Sequence, residues 1–227
     1  MNRNHEAFQL WEQGNLNEAI QLLFEEIEEQ PENSDSYYNL AMILIVAKKY
    51  ADAQAVLETA LQKKPDHPAL LYAFGNLYYQ QERYTESLVY FTRVFQHPQT
   101  GLKNDAARMI GQCYFSLKEP KKALVYLLMV KIENEPDSAL FLLIGNCLMQ
   151  TGHFDEAKDY LEKVMEITPD NDEAWFKRGL IGMALKEPPT VFEAFFKQSS
   201  TLNPNSHQER IQQLKAIEAM VQPPTKE

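Results

Sequence analysis

Glycine, cysteine and basic residues are scarce in this chain of 227 residues. Its 8 glycines are about half the usual share, which disfavours turn-rich β architectures. The 22 Lys and Arg are outnumbered by 32 Asp and Glu, so the formal net charge is −10. Nucleic-acid binding requires clustered Lys and Arg that neutralise phosphates, and acidic membrane surfaces attract basic segments in the same way. We therefore expect neither nucleic acid nor a membrane as a partner.

Long hydrophobic segments are also missing. The longest clean apolar run, Leu40 to Ala47, is far shorter than the ~18 residues that a membrane-spanning helix needs. The polar start of the chain, Met1 to Glu6, lacks the apolar core of a signal peptide. These absences predict a cytoplasmic protein.

Common catalytic motifs are absent as well. The sequence has no phosphate-binding glycine loop, no dinucleotide-binding glycine pattern, no H-E-x-x-H zinc motif and no G-x-S-x-G nucleophile turn. Its five histidines are scattered. Acidic residues are dense over residues 25–32, but such runs usually form the solvated face of a helix rather than a metal or partner site. We therefore predict that the protein is not an enzyme and has no catalytic residues, metal site or cofactor.

What the chain does contain is a repeated pattern of small residues. Two series recur at intervals of 34 residues, and both lengthen to 36 at the same place. The first series is Ala7, Ala41, Gly75, Gly111, Gly145 and Gly179, and the second is Ala19, Ala53, Ser87, Ala123 and Ala157. A near-constant period of this length indicates a repeat architecture.

Each repeat predicts two amphipathic helices. Apolar residues recur at helical spacing, as at Leu40 and Leu44 in one first helix and at Ala53 and Leu57 in the following second helix. The small residues recur because two helices that cross closely leave no room for a larger side chain at their contact.

On these residues the chain resembles the tetratricopeptide repeat family. The family pattern of aromatic and Leu-Gly positions, then Ala, Phe and Ala and a closing Pro, is matched well over residues 37–44, 141–148 and 175–179. The resemblance covers about residues 3–204 and implies an all-α fold, a right-handed α-solenoid of about six helix-turn-helix repeats with a C-terminal capping helix. We place the repeats at 1–33, 34–67, 68–103, 104–137, 138–171 and 172–206, the capping helix at 207–221 and a flexible tail at 222–227.

Two places depart from the regular pattern. The two-residue insertion falls near residues 98–101 and predicts a longer connection between repeats. In the sixth repeat, Pro188 and Pro189 lengthen the internal turn, and Phe192 replaces the Ala or Ser of the other second helices. We therefore expect the two helices of this repeat to pack further apart.

The two cysteines occupy the same place in consecutive repeats. Cys113 and Cys147 are 34 residues apart. Neighbouring packed helices have axes about 8–10 Å apart, so equivalent Cα atoms exceed the ~7 Å that a disulfide can span. We predict buried free thiols that act as small hydrophobic side chains.

The resemblance also implies where a ligand binds. In this family the first helices line a concave groove, so the residue after each small one faces that groove, and three consecutive repeats present Asn76, Gln112 and Asn146 there. A carboxamide offers both a donor and an acceptor to an extended peptide backbone. Neighbouring groove positions are rich in aromatic and apolar residues, and an exposed apolar strip is typical of a binding site. The predicted peptide-binding residues are Tyr38, Met42, Tyr72, Asn76, Tyr79, Arg108, Gln112, Phe115, Leu142, Asn146, Met149 and Phe176.

The groove does not match the carboxylate clamp that some members use for acidic C-termini. The corresponding places hold Asn4, Phe8, Asn39, Ala69 and Ala73, and of these only Asn39 fits. The groove edge is rich in carboxylates, so we expect an apolar segment that is neutral or basic. The sequence thus predicts a protein–protein interaction scaffold or adaptor that binds a peptide segment. Three alternatives remain open: the predicted residues pack against neighbouring first helices, the strip drives homo-oligomerisation as a self-assembly module, or the chain's own tail fills the groove.

Overall fold

The computed structural model describes residues 3–98, 100–132 and 136–221, and the side chains up to residue 216. This part of the chain forms thirteen α-helices and no β-strand. The helices are α1 (Arg3–Glu12), α2 (Leu16–Glu29), α3 (Ser34–Val46), α4 (Tyr50–Lys63), α5 (Pro68–Gln80), α6 (Tyr84–Gln96), α7 (Lys103–Ser116), α8 (Pro120–Leu127), α9 (Ser138–Thr151), α10 (Phe154–Ile167), α11 (Asp172–Ala184), α12 (Pro189–Leu202) and α13 (Pro204–Val221). The predicted all-α fold of paired helices is confirmed. The chain divides into an N-terminal unit, residues 1–131, and a C-terminal unit, residues 132–227.

Helix starts follow from local sequence. The side chains of Asn33, Asp137 and Asn171 each accept a hydrogen bond from a backbone N–H in the first turn of the helix that follows. Such caps satisfy N–H groups that have no partner within the helix. Four other helices, α5, α8, α12 and α13, begin with proline, whose fixed φ suits a first turn and whose missing N–H costs nothing there.

The turns inside the six repeats share one backbone conformation. Each turn contains one residue with a positive φ, and these residues are Gly14, Lys48, Glu82, Lys118, Gly152 and Lys186. The next residue donates its N–H to a carbonyl five positions earlier, as Lys49 does to Leu44 at 2.8 Å. This is the Schellman closure of a helix C-terminus, and it normally uses glycine at the left-handed position. Four of the six turns hold a charged residue there, which the sequence did not indicate.

The small residues of the N-terminal unit lie where the two helices of a repeat cross. Ala7 and Ala41 are fully buried, and the ring of Phe91 lies against Gly75 so closely that a Cβ on Gly75 would be 2.5 Å from it. Leu127 contacts Gly111 in the same way. These contacts confirm why the first small-residue series recurs with the repeat.

Irregular connections account for the rest of this unit. The connection between α6 and α7 spans residues 97–102, two residues more than the 64–67 connection, which places the insertion where the sequence predicts it, although residue 99 lies outside the described part. Helix α8 ends at Leu127, much earlier than the predicted repeat boundary at 137. Asn104 of α7 bonds the backbone N–H and carbonyl of Lys131 at 3.3 and 3.2 Å, so a side chain satisfies groups that a longer helix would have paired.

The C-terminal unit corrects one expectation. Phe192 does not push α11 and α12 apart, because Gly182 of α11 makes room for it: a Cβ on Gly182 would lie 2.7 Å from the Cβ of Phe192. The preceding repeat has Leu148 at the place of Gly182 and Ala157 at the place of Phe192. In the sixth repeat the small residue is therefore on the first helix and the large one on the second, the reverse of the preceding repeat. The two helices still approach closely at this contact.

Helix α13 packs on α11 and α12. It begins at Pro204, three residues before the predicted start. The ring of His207 lies 5.3 Å from that of Phe176 and 6.3 Å from that of Phe196, and Arg210 pairs with Asp172 at 2.6 Å. The side chains of residues 217–221 in the predicted capping helix, and the tail at 222–227, lie outside the described part.

Candidate functional site

A cavity of about 200 Å³ lies between α1 and α3, on the side formed by first helices. We call it the α1/α3 pocket. Its most exposed members are Phe8 and Val46, with 48% and 57% of their surface accessible. The pocket is lined by Asn4, Ala7, Phe8, Trp11, Leu23, Tyr38, Asn39, Met42, Ile43 and Val46. Large apolar side chains that stay exposed side by side around a cavity are typical of a docking surface.

Hydrogen bonds form one wall of this pocket. Asn4 of α1 donates its amide N–H to Ser36 Oγ at 3.1 Å, and Asn39 Nδ2 donates to Asn4 Oδ1 at 2.9 Å. Asn39 was the one residue that fitted a carboxylate clamp, and its amide nitrogen is engaged between helices. The wall therefore joins α1 to α3, which weakens further the case for an acidic terminus as ligand.

A polar cleft of about 620 Å³ adjoins the same wall, because Asn4 lines both cavities. We call it the acidic cleft. Among the described residues that line it, Arg3 is the only basic one, and it pairs with Glu29 at 2.7 Å and with Glu26 at 3.5 Å. The hydrogen bond from Arg3 lowers the pKa of Glu29. The cleft is lined by Arg3, Asn4, Glu6, Glu26, Glu29, Gln30, Asn33 and Asp35. Its carboxylates outnumber its one cation.

Further along the N-terminal unit, predicted residues of three first helices converge. Burial raises the pKa of Tyr38 and of Tyr72, and the carboxylate of Asp105 raises both further. Arg108 acts on Tyr72 in the opposite direction. Electrostatic coupling of this kind requires proximity, so Tyr72 lies near both Tyr38 and Arg108.

The predicted carboxamides are half-buried and partly engaged. Asn76 donates to the sulfur of Met42 at 3.6 Å, which links α5 to α3. Gln112 and Phe115 are half-buried on α7, and Tyr79 lies edge-on to Tyr84 with ring centroids 5.3 Å apart. Because sulfur is a weak acceptor, the Asn76 amide keeps the capacity to bind a stronger one.

In the C-terminal unit, two of the predicted binding residues are more fully bonded or buried. Asn146 accepts a hydrogen bond from Lys177 Nζ at 2.5 Å, and Lys177 also pairs with Glu173. Leu142 and Met149 are half-buried. Phe176 is only 3% exposed, because α13 covers it with His207, so the expectation that it faces an open groove is wrong.

Of the residues that line the α1/α3 pocket, only Tyr38 and Met42 are among the predicted peptide-binding residues, and Trp11 and Val46 are two of those that sequence reasoning missed. Trp11 follows Phe8 by three positions, and their rings are in edge contact at 5.4 Å. Val46 follows Met42 by four positions. Residues three and four apart share a helix face, so this spacing was the signal that could have found them.

The described residues hold no cluster of three or more His, Cys, Asp and Glu that could bind a metal ion. The two cysteines are free and buried, as predicted. Burial raises the pKa of Cys113 to about 11 and that of Cys147 to about 12. Both thiols are thus held in their protonated, unreactive form at neutral pH.

Within the described part of the chain, none of the helices combines the length and the apolar character needed to cross a bilayer. The cytoplasmic location stays a prediction of the sequence.

Comparison with known proteins extends these observations. A tetratricopeptide repeat model matches residues 10–73 and 44–100, and a second model of that repeat matches residues 138–171. None of the curated proteins matches the chain.

Several solved structures are similar. One is PilF of Pseudomonas aeruginosa, with 16% identity, a TM-score of 0.80, and coverage of 92% of this chain and 95% of that one. PilW, a type IV pilus biogenesis factor, has 20% identity and a TM-score of 0.76 over 89% and 92% of the chains. YrrB, a tetratricopeptide repeat protein with an unusual peptide-binding site, has 27% identity and a TM-score of 0.69 over 80% and 92%. For PilF and PilW the likeness concerns the fold alone.

Proposed function

Because the chain belongs to the tetratricopeptide repeat family, whose fold generally mediates protein–protein interactions, we propose that it is a non-catalytic scaffold. It holds an apolar peptide segment, neutral or basic in charge, against the first-helix face of its N-terminal unit. This face comprises the α1/α3 pocket and the predicted residues on α3, α5 and α7.

One observation carries the proposal: the α1/α3 pocket leaves Phe8 and Val46 about half exposed beside polar amide groups. An apolar side chain that enters the pocket gains contact with Phe8, Trp11 and Met42. Burial of such an anchor is the usual source of affinity in an interface, whereas each hydrogen bond adds less. The peptide-binding site of YrrB, at 27% identity, is consistent with this use of the fold.

The amides of Asn76 and Gln112 set the register of the bound segment. Asn76 exchanges its weak bond to the Met42 sulfur for a peptide carbonyl. Each such exchange is worth about 0.5–1.5 kcal/mol, which is enough to select an alignment without dominating the affinity.

Affinity capture from cell extract, quantified by mass spectrometry, tests the proposal. We expect the N76A/Q112A and F8A variants each to capture fewer partners than the parent chain. N146A tests the C-terminal unit and should have the smaller effect, because Asn146 is already bonded to Lys177. The matched control Q54A/Q62A removes two carboxamides from the second helix α4. Unchanged capture by both F8A and N76A/Q112A, with native circular dichroism, contradicts the proposal.

Self-assembly through the same face is the second function that these residues allow. Light scattering after size-exclusion chromatography distinguishes it. We expect a monomer at micromolar concentration. A stable dimer that F8A dissociates would show instead that a second copy of this chain occupies the α1/α3 pocket.

A further inference from the structure

We infer that the N-terminal unit selects a segment in which a large apolar residue is followed or preceded closely by Lys or Arg. The apolar residue enters the α1/α3 pocket, and the cation lies in the acidic cleft. This inference rests on the proposed function and names the partner chemistry that the site accepts.

The α1/α3 pocket and the acidic cleft are adjacent. Asn4 lines both, and its hydrogen bonds to Ser36 and Asn39 make the wall between them. A ligand that crosses this wall therefore leaves an apolar environment and enters a polar one within a few residues. Three residues of extended chain span about 10 Å, so we take three positions as the largest separation between anchor and cation in the test below.

The charge of the acidic cleft is complementary to that of a basic ligand residue. The cleft carries the carboxylates of Glu6, Glu26, Glu29 and Asp35 against the single guanidinium of Arg3. Glu26 and Glu29 share the one guanidinium of Arg3, so the four carboxylates leave the described lining with a formal excess of three negative charges. A ligand cation is attracted there, whereas a ligand carboxylate is repelled.

The α1/α3 pocket itself does not suit an acidic ligand group. The described residues that line the pocket include no basic side chain, and they are apolar except for Asn4, Asn39 and the hydroxyl group of Tyr38. A carboxylate placed there would lose its hydration without gaining a cation, and that cost is large. An apolar anchor meets no such penalty.

A random dodecapeptide library displayed on phage provides the probe. Selected on the full-length chain, it should yield peptides that combine Phe, Leu, Ile or Met with Lys or Arg within three positions. Enrichment of acidic peptides, or of apolar peptides with no preference for a neighbouring cation, overturns the inference. Failure to enrich any peptide overturns the proposed function as well.

Pocket variants then test the position of the anchor for one selected peptide. Phe8→Ala should weaken its binding by at least tenfold. Phe24 offers a matched control, because it is 46% exposed, against 48% for Phe8, and lines a separate apolar cavity of about 410 Å³ between α2 and α4. If Phe24→Ala weakens binding and Phe8→Ala does not, the peptide lies on the other side of the unit and the inference is wrong.

Charge variants test the cleft. The double variant E6Q/D35N should lower affinity two- to tenfold for the selected peptide, and it should have no effect on the same peptide with its cation replaced by Met. The control D52N/E58Q removes two carboxylates from α4, including one in a first helical turn like that of Asp35. Equal effects of E6Q/D35N on both peptides would overturn the assignment of the cation to the cleft.

The two proposals fail in different ways. If N76A/Q112A weakens binding of the selected peptide while F8A and E6Q/D35N do not, the peptide is bound on this face but not in the inferred position. Loss of binding in F8A together with native circular dichroism and an unchanged unfolding midpoint excludes misfolding as the cause.

Discussion

The ring of Phe91 occupies the space that a side chain on Gly75 would need. A Cβ built on Gly75 would lie 2.5 Å from the ring, well inside van der Waals contact. At the equivalent place in the C-terminal unit, a Cβ on Gly145 would lie 3.2 Å from Leu161. The same position in two repeats therefore leaves different amounts of space for a side chain, and the residue on the facing helix determines how much.

This difference predicts the effect of two identical substitutions. Gly75→Ala should destabilise the protein by about 1–3 kcal/mol, because Phe91 must move. Gly145→Ala should cost much less, since Leu161 needs to shift only slightly and alanine favours a helix by about 1 kcal/mol. Urea unfolding followed by circular dichroism measures both. Equal destabilisation by the two substitutions would show that the close contact with Phe91 does not determine the cost of a side chain at residue 75.

The left-handed turn residues predict a stabilising substitution. Lys48 has φ of 58°, which is unfavourable for a residue with a Cβ. Lys48→Gly should therefore raise the free energy of unfolding by about 0.5–1 kcal/mol, after allowance for the greater freedom of glycine in the unfolded chain. The neighbour Lys49 has φ of −83°, so Lys49→Gly serves as the control and should destabilise. Thermal unfolding midpoints that move in the same direction would contradict this account.

The exchange of large and small residues in the sixth repeat predicts energetic coupling. Gly182→Leu should destabilise strongly, because the new side chain meets Phe192 and the carboxylate of Glu187. Phe192→Ala alone should cost less than the ~3–5 kcal/mol of a fully buried phenylalanine, because Phe192 is only half-buried. Combining the two should recover about 0.5–3 kcal/mol relative to the sum of the single effects. A double-mutant cycle by chemical denaturation checks this, and simple additivity would show that the two residues do not compete for space.

Ion pairing of Arg178 predicts a stability term that depends on pH. Arg178 is 4% exposed and binds Glu187 through two hydrogen bonds of 2.9 and 3.0 Å. These bonds lower the pKa of Glu187 from its ordinary value of 4.5. A depressed carboxyl pKa contributes stability above the unfolded pKa, and that contribution disappears as pH falls through the folded pKa.

Glu187→Gln should therefore destabilise by about 1–3 kcal/mol at pH 7 and by progressively less below pH 4.5. Thermal unfolding between pH 3 and pH 7 measures the difference. Glu166→Gln, a substitution at an exposed residue of α10, is a suitable control, and its effect on stability should depend little on pH. A Glu187→Gln effect that is constant over this range would contradict the ion-pair explanation.

Raised thiol pKa values predict slow chemistry at both cysteines. The pKa of Cys113 is about 11 against an ordinary 9.0, so its thiolate population at neutral pH falls about 100-fold, and burial restricts access further. We expect neither cysteine to react with a disulfide reagent within minutes in the native protein, and both to react in guanidinium chloride. Prompt labelling of one thiol in the native state would show local opening around that residue.

The repeat period and the spacing of apolar residues determined the all-α fold, the small-residue contacts and the longer connection after α6. These features are local or strictly periodic, so a sequence displays them directly. The sequence also indicated that Tyr72 lies near Tyr38 and Arg108, because equivalent positions in stacked repeats share a face.

Only the tertiary structure decided how individual side chains are used. Gly182 accommodates Phe192, α13 buries Phe176, and Asn4 joins the α1/α3 pocket to the acidic cleft. Each of these results depends on which atoms of two separate helices compete for the same space or the same hydrogen bond. Periodicity assigns a residue to a face, but packing determines whether that face is open.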